Sequence, residues 1–255
     1  MNKIKGGVII IGSLIWENEH NAIPDKESKQ LGKYRREWRE KNLDTAKIQI
    51  TPLPVRYGRC SSGRHDTYTM VLSKEYSNDK QGRGLIIPFK KPFTNGRLSP
   101  VTTQLKYLAK AEGIINQEEK KRLAASWGAI AIWINPQSKF KKSIENYWQN
   151  IIKNADYRYN GKSYTWSDGT LLDDSFRLQV KIDTDCDFLV CTYILPKYKK
   201  GDNDSKAREN MKQGYPNSKM LNQAIQKSKY STYFCQNRVN NIVTVDDTEI
   251  FDIKN

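Results

Sequence analysis

Two stretches combine residue types that can hold an anion. The first is the run Val8-Ile9-Ile10-Ile11, which leads into Gly12-Ser13-Leu14-Ile15-Trp16. A β-branched apolar run reads as a buried strand. The Gly-Ser interruption marks a place where backbone must turn or come close to something else. A strand ending in small residues presents bare backbone N–H groups. Gly12, Ser13 and Leu14 are therefore candidate donors to a carboxylate or an oxyanion, with a plain strand bend as the alternative. The second stretch is Arg56-Tyr57-Gly58-Arg59-Cys60-Ser61-Ser62-Gly63-Arg64. Guanidinium groups match carboxylates and phosphates bidentately. Arg56, Arg59 and Arg64, with Ser61 and Ser62, form a candidate anion clamp or else a basic surface edge.

Other chemistries find little support. His20 and His65 are too few and too far apart in sequence to suggest a metal site. Ser13 lies in no G-x-S-x-G elbow, which argues against a serine hydrolase. Cys60, Cys186, Cys191 and Cys235 form no C-x-x-C pair and no small disulfide frame. Reduced thiols in a cytoplasmic protein are the simple expectation. The basic start followed by apolar residues mimics a signal peptide. However, Trp16-Glu17-Asn18-Glu19 stands where a small-residue cleavage site belongs. No apolar run reaches the roughly 18 residues of a membrane span.

These groups need elements to position them. Residues 17–32 are polar and read as a loop, and 33–42 as a short basic segment leading into a strand. Residues 47–57 alternate apolar and polar around Pro52 and Pro54, Thr67 to Leu72 is a strand by propensity, and Gly84 to Phe89 is a strand whose Pro88 favours an edge. The clearest helix punctuation spans 99–113. Ser99 is placed to cap, Pro100 suits the first turn, Gly113 suits the stop, and Val101, Leu105 and Leu108 line one face. Asn116 with Glu119 has capping-box spacing for a second helix. Gly128 to Ile134 is a strand stopped by Asn135-Pro136. Ile144, Tyr147, Trp148, Ile151 and Ile152 have amphipathic helical spacing. Asn160-Gly161 centres a hairpin, and Phe188 to Leu195 is a buried strand. Residues 197–218 read as a polar loop, followed by a short helix near 219–229 and a strand near 242–253. The mixture lacks regular βαβ alternation, so α+β is the expected class.

The chain has 255 residues, of which 37% are apolar and 28% charged, enough to bury a core. Its 43 Lys and Arg against 28 acids give a net charge of +15. That field favours anionic partners and keeps nucleic acid open as one of them. Tyr157, Tyr159, Tyr164 and Trp166, with Arg158 and Lys162, fit base stacking or simple cross-strand pairing.

The segment Val8 to Trp16 resembles the opening of the ChaC branch of the γ-glutamylcyclotransferase superfamily, whose strand ends in Tyr-Gly-Ser-Leu-Ile-Trp. Ile11 stands here in place of that Tyr. Two further stretches follow in the family's order. Arg56 to Arg64, with the strand through Met70-Val71, looks like its basic, Ser-containing strand. Gln104 to Glu112 is similar to the helix that ends in its catalytic glutamate, with Ala111 where these proteins often carry Arg. The resemblance covers roughly residues 7–135. It implies an α+β fold with a small mixed β-barrel, flanking helices and a C-terminal α/β extension. Residues 1–155 are read as the domain of this type; the region after about 150 has no counterpart in the resemblance, and 156–255 is read as an extension packed on or completing the same domain.

In the reaction that the resemblance implies, the free α-amine of a γ-glutamyl compound attacks its own γ-carbonyl. 5-Oxoproline closes and an amine leaves. Holding both reacting groups in one molecule supplies the proximity, and no cofactor or metal is needed. The resemblance makes Glu112 the base. Gly12, Ser13 and Leu14 become the oxyanion or carboxylate loop, and Arg56, Arg59, Ser61 and Arg64 the binding groups for a small anionic substrate. Glu17 and Glu75 are fallback acids. A carboxylate in the last turn of a helix sits at the negative end of the dipole, which disfavours its charged form and suits an acid/base. The competing functions are a basic nucleic-acid-associated protein and a member of the same fold that binds a ligand without turning it over.

Overall fold

The most apolar runs of the sequence become the middle of a sheet. A computed structural model describes residues 2–11, 14, 26–61, 67–72, 82–115, 122–125, 127–155, 158–159, 162–163 and 171–194. The first half of the chain contributes β1 (Lys3–Ile4), β2 (Gly6–Ile10), α1 (Lys26–Asn42), β3 (Gln49–Leu53), β4 (Val55–Ser61), β5 (Thr67–Leu72), β6 (Gly82–Pro88) and β7 (Phe93–Thr94). There follow α2 (Ser99–Glu112), β8 (Ala124–Ala125), β9 (Gly128–Ile134), α3 (Lys141–Asn154), β10 (Arg158–Tyr159), β11 (Lys162–Ser163) and β12 (Phe188–Ile194). The class is α+β, with three α-helices among the described residues.

The chain divides into two compact units. The first takes residues 1–10, 38–51 and 85–194; the described residues of the second fall within 11–37 and 52–84. The main sheet runs β3-β6-β2-β12-β9-β8. β12 pairs parallel with β2, Val190 opposite Val8, and antiparallel with β9, Val190 opposite Ile132. β2 pairs antiparallel with β6, Ile9 opposite Ile86. Every residue of β2 is buried, as are all but the last of β9 and β12. Continuous apolar runs of this kind suit strands covered on both faces. Gly6 is required by close packing, because a β-carbon there would run into the Phe188 and Phe93 rings. β12, within the stretch read as an extension packed on or completing the same domain, lies in the middle of the sheet order.

Several expectations are corrected. Among the described residues the sheet is open and does not close into a barrel. It ends at β3 and at the two-residue β8, while β4 and β5 pair with each other in a separate ladder. Residues 26–42 form a helix, not a loop and a basic segment. The buried stripe of α1 is Gly32, Arg35, Trp38 and Arg39. Two arginines on the buried side, their long aliphatic stems covered, hid the periodicity. Pro88 does not mark an edge strand, because β6 lies between β3 and β2; the proline stands at the last position of the strand. Ser99 is the first residue of α2, not its cap: the preceding position is Leu98, and no side chain caps the end.

Other elements stand where expected. β9 covers Gly128–Ile134, and α3 buries Ile144, Trp148 and Ile151. The short hairpin pairs Tyr159 with Lys162. α3 is anchored by a bond from Trp148 Nε1 to the Ser175 carbonyl at 2.6 Å and by Arg177 Nη1 reaching Glu145 Oε1 at 3.2 Å. The second helix expected from Asn116 and the elements expected beyond residue 195 lie outside the described residues, as do most of the aromatic residues around Asn160-Gly161. No helix among the described residues is long and apolar enough to cross a membrane.

Candidate active site at the end of the second helix

Glu112 is the last residue of α2. The helix buries Val101, Leu105, Leu108, Ala109 and Ala111 and packs on β12 and β9. Its end is fixed by Gly113, whose φ of 80° is left-handed. The Gly113 N–H donates to the Lys110 carbonyl at 3.0 Å, and the Ile114 N–H donates to the Ala109 carbonyl at 2.8 Å. This pair of bonds is a Schellman stop, and Gly takes the left-handed position because it has no β-carbon to clash. The buried Ile114 beyond the stop anchors the turn. Glu112 is half-buried, so its carboxylate sits where the helix dipole is negative and solvent is partly excluded.

The group that the sequence did not suggest is Cys191. It lies on β12 opposite Ala131, buried, in the centre of the sheet. Burial pushes its thiol up from an ordinary 9.0 to about 12, and the negative charge of Glu112 pushes the same way. The thiol therefore stays neutral beside the carboxylate and can act only as a weak donor. A cysteine inside an apolar strand carries no local signal of this neighbour. Gln104, two turns earlier on α2, donates through Nε2 to Asn42 Oδ1 at 3.0 Å, and Asn42 Nδ2 donates to the Trp38 carbonyl at 2.9 Å. The network ties α2 to the end of α1. Gln104 Oε1 and Trp38 Nε1 remain buried with no hydrogen-bond partner.

Leu14, Arg56, Arg59 and Ser61 belong to the second unit. Leu14 is buried at 5% exposure; Gly12 and Ser13 beside it lie outside the described residues. In the β4–β5 ladder Arg56 stands opposite Val71, Arg59 opposite Thr69 and Ser61 opposite Thr67, with a register shift between Tyr57 and Arg59. The shift is a β-bulge, in which one extra residue, Gly58, is accommodated. Without it, spacings of three and five from Arg56 would set Arg59 and Ser61 on the opposite parity. With it, all three residues share one parity of the ladder. Arg59 is half-buried. Ser62, Arg64, Glu17 and Glu75 lie outside the described residues.

Among the described residues no three His, Cys, Asp or Glu side chains gather into a group able to hold a metal ion. No family model, no curated protein and no solved structure matches this chain.

Proposed function

We propose that the chain is a γ-glutamylcyclotransferase-like enzyme that cyclises a small γ-glutamyl compound to 5-oxoproline and releases an amine. Glu112 takes a proton from the α-ammonium group. The freed nitrogen attacks the γ-carbonyl carbon, and the ring C–N bond forms. Glu112 gives that proton to the leaving nitrogen as the tetrahedral oxyanion collapses and the bond to the leaving amine breaks; the second proton of the ring nitrogen then passes to the released amine, which departs as an ammonium ion. Proton count and charge balance without a second substrate. The α+β core is, on this proposal, an open form of the γ-glutamylcyclotransferase type, acting in the cytoplasm on an anionic substrate.

The observation that carries the proposal is the setting of Glu112. It is a half-buried carboxylate held in place by a Schellman stop, at the negative end of a helix packed on buried strands. A carboxylate fixed at such a helix end can take up a proton and hand it on, which is the acid/base work the cyclisation needs.

The test is 5-oxoproline release from a panel of γ-glutamyl peptides and amines. Wild type is expected to turn over at least one of them. Glu112→Gln, which keeps shape and removes the base, is expected to lose on the order of 10²–10⁴ in kcat with an unchanged circular dichroism spectrum. Undiminished turnover by Glu112→Gln contradicts the assignment.

A further inference from the structure

The first unit also holds a cavity of about 230 Å³ between α2 and α3, and Glu112 is not on its wall. Leu105 of α2, Leu123 before β8 and Ile151 of α3 are buried along it. Among the described residues Lys106 is the one charged side chain on the wall and no carboxylate lines it; Lys106 is exposed, which sets its ammonium at the solvent side. Thr102 and Tyr147 also line the cavity, and their hydroxyls lie 2.6 Å apart. Two hydroxyls bring two protons. Their mutual bond uses one, so the pair retains an O–H for a third partner. On its other contacts α3 is tied to Ser175 through Trp148 and to Arg177 through Glu145.

We propose that this cavity binds a small monocarboxylate with a compact apolar body, of about the size of benzoate. The volume sets the size: a dry cavity of roughly 150 Å³ takes up benzene, and the additional room admits a carboxylate. The leucines and isoleucine supply the apolar surface that excludes water from the body of the ligand. The charge sets the class. The Lys106 ammonium and the spare O–H can hold a carboxylate by charge-assisted hydrogen bonds. A ligand ammonium would meet Lys106 with no carboxylate among the described lining residues to offset it.

Calorimetric titration of the full chain with benzoate, benzyl alcohol and benzylamine at constant ionic strength tests the proposal. Benzoate is expected to bind saturably, at least about tenfold more tightly than benzyl alcohol, with benzylamine weakest. Lys106→Met is expected to weaken benzoate about tenfold. Asn150→Trp fills the mouth from an exposed position on α3; it is expected to abolish binding without moving the unfolding midpoint. No saturable binding of benzoate, equal binding of benzoate and benzyl alcohol, or unchanged binding in both variants would overturn it. Because Glu112 is not on the wall, each of these outcomes leaves the cyclisation proposal standing.

Discussion

At Cys191 a buried thiol and a half-buried carboxylate face a common problem, since neither can be fully hydrated. The thiol resolves it by staying protonated, and this has a consequence for stability. Its ordinary value of 9.0 applies in the unfolded chain, and about 12 applies in the fold. Below 9 both states hold the proton and the contribution to stability is complete. Between 9 and about 12 the unfolded thiol ionises while the folded one does not, so stability falls as pH rises through that window. Cys186, raised chiefly by burial, adds to the loss in the same direction. Urea midpoints measured from pH 8 upward should therefore fall more steeply for wild type than for Cys191→Ala, and parallel curves would contradict the assignment. Little of this pairing was legible in the sequence, because it joins residues 79 positions apart across a helix–sheet contact. The Arg56, Arg59 and Ser61 set was legible as chemistry but not as geometry. Their common parity in the backbone register depends on a bulge at Gly58, and a spacing rule for a regular strand gives the opposite parity.

At the scale of elements, α2 shows which signals survive folding. Its stop was readable because left-handed backbone has a strong preference for glycine, and Gly113 has that conformation. Its start was misplaced by one position, because a serine before a proline suits both the cap and the first turn. α1 was missed because 33–42 reads as a short basic segment leading into a strand, whereas Arg35 and Arg39 are each 4% exposed and lie on the buried stripe of a helix. Gly113→Ala is expected to cost about 1–2 kcal/mol, the penalty for an L-residue in left-handed backbone. Denaturant unfolding reads that cost directly. If Glu112 is the base, the same substitution should reduce 5-oxoproline release by more than the lost folded fraction, since the turn next to the carboxylate is the part disturbed. A stability loss with undiminished specific activity would separate the stop from the site.

For the whole molecule, the sequence indicated the class and most of the strands, but not how the strands are ordered. β2 near the start of the chain and β12 near residue 190 are parallel neighbours. Their pairing is set by burial of both faces and leaves no local trace. The open sheet likewise depends on where β4 and β5 pair, and alternation of apolar residues does not encode that choice. The net charge of +15 favours anionic ligands in general, which suits a γ-glutamyl substrate and a monocarboxylate alike. The central claim concerns Glu112, and a crystal structure with a non-cleavable γ-glutamyl analogue tests it most directly. The account predicts the analogue's α-nitrogen within hydrogen-bond reach of the Glu112 carboxylate, about 3 Å. An analogue bound elsewhere, with the Glu112 carboxylate engaged only by protein groups, would contradict it.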